Sequence, residues 1–63
     1  MPLIQINLLE GRPPEKITEL IRNITDTAAE TLGAPKESVR VLVNEMPKTH
    51  WGIGGKPASE VKK

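Results

Sequence analysis

The chain has 63 residues, enough for a single domain over residues 1–63 with a thin core. Nine Lys and Arg against eight Asp and Glu leave a net charge of +1, which argues against nucleic acid or a membrane surface as partner. Cysteine is absent and histidine occurs once, so disulfides and a structural zinc site drop out, and self-association is the remaining way to brace so small a domain. The longest apolar run is too short to span a bilayer. The N-terminus lacks the charged-then-apolar pattern of a secretory leader, so a cytoplasmic location is expected. Trp51 is the single aromatic residue, and the core must therefore be made of Ile, Leu and Val.

Leu3 to Leu9 reads LIQINLL. Ile4, Ile6 and Leu8 fall on one face and Leu3, Gln5, Asn7 and Leu9 on the other, the alternation of a strand. The second face is half apolar, which suits a sheet partly covered by another subunit. The loop EGRPPE follows. Pro14 fits the first turn of a helix, where its missing N–H costs nothing, and Glu15 complements the helix dipole. Ile17, Leu20, Ile21, Ile24, Ala28 and Leu32 keep the three-four spacing of an amphipathic helix. Gly33 suits its C-terminal cap and Pro35 prevents its resumption, so a helix is expected over Pro14 to Leu32. Ser38 to Met46, SVRVLVNEM, alternates again as a second strand. Strand, long helix, strand is a β-α-β unit, an α/β arrangement with parallel strands and a right-handed crossover. Ile4, Ile6, Leu8, Val39, Val41 and Val43 should lie under the helix and Arg40 on the opposite face. The tail is turn-rich, and its GIGG run suits a short hairpin. One sheet face is left without a helix and must meet something else.

Several residues invite a chemical reading. If Met1 is removed, Pro2 presents a free secondary amine. An ordinary α-amine titrates at about 8, and burial near cations lowers that value toward a neutral general base. Many chains begin Met-Pro without such a role, and retention of Met1 would leave an amide in place of the amine. Arg12 ends a loop just before a helix, and taken by itself it reads as a solvated surface residue. Arg40 lies inside an apolar strand, where a guanidinium needs an anion or an interface. An ion pair with Glu45 or Glu10 would satisfy it as well as a ligand would. Two arginines can grip a substrate with two carboxylates, each offering a planar fork. Trp51 can plug an interface, wall a pocket, or do both. Ser38 can bond a substrate through its hydroxyl or simply open the strand. His50 is given no role, and GIGG lacks the spacing of a phosphate loop.

Pro2, the LLEGR run ending at Arg12, SVRV around Arg40 and EMPKTHWGIGG together resemble the 4-oxalocrotonate tautomerase family over nearly the whole chain. The resemblance implies a β-α-β unit with a short C-terminal hairpin, assembled as a homohexamer, a trimer of dimers. It implies Pro2 as the catalytic base. Arg12 and Arg40 become the two substrate-binding arginines, contributed by neighbouring subunits. Leu9 and Ser38 become minor pocket positions acting through backbone or hydroxyl, and Trp51 the aromatic wall. The family commonly has phenylalanine at that wall and often a polar helix cap where this chain has Pro13–Pro14. The implied substrate is an unsaturated 2-oxo or 2-hydroxy dicarboxylate such as 2-hydroxymuconate, ketonised without metal or cofactor. Two rivals follow from the same superfamily. One is a hydratase or dehalogenase, which needs a carboxylate where this chain has Ile53. The other is a non-catalytic subunit of a mixed oligomer.

Overall fold

A computed structural model describes residues 2–61, and the expected removal of Met1 concerns a residue outside that range. Strand β1 (Leu3–Leu9) leads into helix α1 (Pro14–Leu32) and then strand β2 (Arg40–Met46). Strands β1 and β2 pair in parallel, from Leu3 opposite Arg40 to Leu9 opposite Met46. This is the β-α-β unit the alternation implied.

Proline and glycine set the helix ends. Pro13 stands at the N-cap in an extended conformation and Pro14 occupies the first turn. At the other end Gly33 adopts φ 66° and ψ 33°, a left-handed conformation that a side chain would oppose. The backbone N–H groups of Gly33 and Ala34 both donate to the Ala29 carbonyl. The expected bounds therefore coincide with the observed ones.

The start of β2 differs from expectation. Lys36–Ser38 forms a 3₁₀ turn behind Pro35, and the strand begins at Arg40. Proline presets the entry to a tight turn, and the Ser38 N–H closes it on the Pro35 carbonyl at 3.0 Å.

The sheet divides the side chains as alternation requires. Ile4, Ile6, Leu8, Val41 and Val43 are half-buried and Val39 buried. Ile17, Leu20, Ile24 and Ala28 of α1 are half-buried and Ala29 buried, whereas Ile21 and Leu32, expected in the same stripe, stand exposed at 37% and 63%. A sheet of two strands is about 5 Å between strand axes. A helix with its side chains is about 10 Å across, so its apolar stripe overhangs so narrow a sheet. Among the described residues only Ala29 and Val39 are buried.

The opposite sheet face carries Leu3 and Leu42, exposed at 60% and 48%. Beside them the Asn44 amide donates to the Asn7 amide oxygen at 3.2 Å across the strands. Beyond β2, a 3₁₀ turn at Lys48–His50 leads to a hairpin of β3 (Gly52–Ile53) and β4 (Lys56–Pro57), then a 3₁₀ turn at Ala58–Glu60. Gly54 and Gly55 make the two-residue turn with φ 59° and 89°, positive at both positions as a tight hairpin turn of the primed type demands.

This tail reaches away from the sheet. The chain measures 42 × 23 × 16 Å with a radius of gyration of 14.7 Å, against about 11 Å for a compact domain of this length.

Candidate active site

Pro2 is half-buried at the open end of β1. Its carbonyl accepts the Arg40 backbone N–H at 2.9 Å, so the parallel ladder itself brings the start of the chain beside the start of β2. Arg40 lies on the face away from the helix, as expected, and is exposed. Its Nη1 donates to the Glu37 carbonyl and, at 3.4 Å, to the Val39 carbonyl. Among the described residues it makes no ion pair. Glu10 is engaged elsewhere, accepting the Lys48 backbone N–H at 3.4 Å, so the acidic partner weighed for Arg40 is replaced by main-chain carbonyls.

Arg12 belongs to the other end of the sheet. Its Nη1 donates to the Leu9 carbonyl at 3.1 Å, which ties the guanidinium to the last residue of β1. Seven residue steps separate Pro2 from Leu9, about 23 Å of extended strand. No small dicarboxylate spans that distance. One chain thus offers Pro2 with Arg40 at one end and Arg12 at the other, and the three cannot converge on one ligand within it.

The remaining candidates divide between the same two ends. Ser38 lies in the 3₁₀ turn before β2, and its Oγ donates to the Pro35 carbonyl at 2.8 Å. Trp51 is half-buried behind the Lys48–His50 turn, and its carbonyl accepts the Ala58 N–H at 2.7 Å. Leu9 borders a hollow of about 310 Å³ with Lys48, Ile53, Ala58 and Val61. Arg12 edges a shallow groove of about 580 Å³ between Leu8 and the Ile17 and Leu20 side of α1. Neither hollow includes Pro2, Arg40 or Trp51.

Sequence reasoning did not find the groups that hold the arginines. Leu9, Glu37 and Val39 act through carbonyls, which every residue carries. It also missed the Lys36–Asp26 ion pair at 3.0 Å, which ties the 3₁₀ turn to α1 and has no helical spacing to betray it.

The parallel ladder thus sets a half-buried proline at the start of β1 beside the backbone of Arg40. The chain belongs to the tautomerase family of enzymes, whose pattern matches residues 2–60. It is 51% identical over its full length to the 2-hydroxymuconate tautomerase of a Pseudomonas species, and covers all of that protein. It is similar to TomN, a 4-oxalocrotonate tautomerase homologue in the tomaymycin biosynthetic pathway. That structure superposes with a TM-score of 0.89 at 47% identity, over 94% of this chain and 91% of that one. It is also similar to a heterohexameric 4-oxalocrotonate tautomerase from Chloroflexus aurantiacus. There the TM-score is 0.90 at 39% identity, over 98% of this chain and 100% of that one.

Proposed function

We propose that this tautomerase converts 2-hydroxymuconate or a closely related dienol dicarboxylate to the conjugated 2-oxo ketone, with Pro2 as the proton carrier. The observation that carries the reading is the pairing of Pro2 with Arg40 at the head of the parallel ladder. The 2-hydroxymuconate tautomerase related to this chain over its full length supports the choice of substrate.

The proposed chemistry is a proton shuttle. With Met1 removed, the neutral Pro2 amine takes the proton of the 2-hydroxyl group and returns it to a carbon of the conjugated chain. A cationic, apolar pocket disfavours a second positive charge and would keep the amine available as base. Arg40 holds the carboxylate and adjacent oxygen at one end of the substrate, where charge develops. Arg12 of a neighbouring subunit holds the distal carboxylate and draws electron density toward it. Leu9 enters through its backbone and Trp51 as an apolar wall that excludes water. Ile53 supplies no carboxylate for activating water, which favours isomerisation over hydration.

The same proposal includes a homohexamer. Exposed Leu3 and Leu42 on one sheet face, and Ile21 and Leu32 beyond the edge of the other layer, give each subunit apolar surface to bury. The separation of Arg12 from Pro2 gives assembly a catalytic purpose as well.

Intact mass and activity test the reading together. The purified chain should lack one methionine and ketonise 2-hydroxymuconate, followed by ultraviolet absorbance. Pro2→Ala should keep the assembly and lose most of its turnover. Full turnover in that variant, or in a chain that keeps Met1, would remove Pro2 as the base.

A further inference from the structure

We propose that Ser38 is a positioning residue that acts on the substrate through Arg40 and not by touching it. The proposal rests on the assignment of Arg40 to the substrate carboxylate. Ser38 has two hydrogen-bond donors, its hydroxyl and its backbone N–H. Both point at one atom: Oγ donates to the Pro35 carbonyl at 2.8 Å and the N–H donates to the same oxygen at 3.0 Å. A carboxylate only accepts hydrogen bonds, so Ser38 has no donor left with which to hold one.

The two hydrogen bonds to the Pro35 carbonyl close the Lys36–Ser38 turn, and the closed turn presents the Glu37 carbonyl. That carbonyl receives Nη1 of Arg40. A guanidinium has five donors in a rigid fork. Committing one of them to the main chain leaves an edge free for a carboxylate and removes rotamer freedom before the substrate arrives. The Arg40 backbone is itself tied to the Pro2 carbonyl, so the guanidinium is fixed at both its root and its tip. The Lys36–Asp26 pair braces the far shoulder of the turn, but both side chains are well exposed and such a pair contributes little. The Ser38 hydroxyl is the stronger brace, since it acts on the turn from within.

The test compares Ser38→Ala, Ser38→Cys, Ser38→Thr, Arg40→Ala and the double variant Ser38→Ala/Arg40→Ala. Each is assayed as the assembled protein on 2-hydroxymuconate, with assembly checked by gel filtration. Ser38→Ala should lower kcat/KM about fivefold, the effect of one lost hydrogen bond. Cysteine, a weak donor, should give a smaller loss, and threonine should restore most of the rate. Once Arg40 is alanine, removing the Ser38 hydroxyl should cost nothing more. Nitrogen-15 relaxation of the Arg40 side-chain Nε–H should report a restrained group in the parent and a mobile one in Ser38→Ala. An equal loss with and without Arg40, no loss in Ser38→Ala, or an Nε–H that stays restrained would each overturn the proposal. An unaltered rate in Arg40→Ala would instead overturn the carboxylate assignment on which it rests.

Discussion

Arg12 and Arg40 are held alike: each donates Nη1 to a main-chain carbonyl three residues back, Leu9 for one and Glu37 for the other. Neither is paired with an acid among the described residues, so both keep an edge free for an anion. Arg12→Ala should therefore reduce kcat/KM for a dicarboxylate substrate at least roughly tenfold. A monocarboxylate analogue should respond less, since only one end needs holding. Equal losses on the two substrates would show that the arginines do not divide the ligand between them. Arg12→Lys should recover little, because an ammonium cannot bond the Leu9 carbonyl and a carboxylate with one planar fork. At this scale the sequence disclosed the charged side chains and left their anchors hidden. Arg40 stood out as a cation in an apolar strand. Nothing in the letters could say that its partner would be the carbonyl of Glu37 and not the carboxylate of Glu45 or Glu10.

Among the elements, α1 was legible to its last residue because proline and glycine punctuate it by covalent geometry, which no tertiary contact overrides. The Gly33 cap is the place to test that statement. An alanine there must hold φ near 66° against its own Cβ, at a cost of about 1 kcal/mol. Urea denaturation of Gly33→Ala should show a loss of that size when subunit concentration is held fixed. A midpoint equal to that of the parent would mean the helix ends differently. The opening of β2 was harder to read. Ser38 and Val39 look like strand residues, yet Pro35 starts a turn that consumes both donors of Ser38 and delays the ladder to Arg40. In the tail the GIGG run suited a short hairpin, and β3 and β4 form one there. That hairpin depends on Gly54 and Gly55 both taking positive φ, which a four-residue motif suggests but does not require.

For the whole molecule, the decisive facts are that only two of the described residues are buried and that the radius of gyration is 14.7 Å. A chain so extended buries little apolar surface, and the proposed assembly would cover its outer sheet face. Leu42→Glu puts a charge in the middle of that face. Sedimentation velocity should show the variant dissociating into smaller species, and its activity should fall in step. An intact assembly would place the contact elsewhere. Length and the missing cysteines suggested self-association as the brace for so small a domain, but they carry nothing about its arrangement, which depends on how the faces of separate copies would meet.

The distance along β1 between Pro2 and Arg12 has a genetic corollary. In the homohexamer proposed above, one gene encodes both halves of every pocket, and each protomer lends its Arg12 to a neighbour. After duplication that loan can become a division of labour. One copy could keep the proline and the other the loop guanidinium, each inert alone and competent when co-expressed.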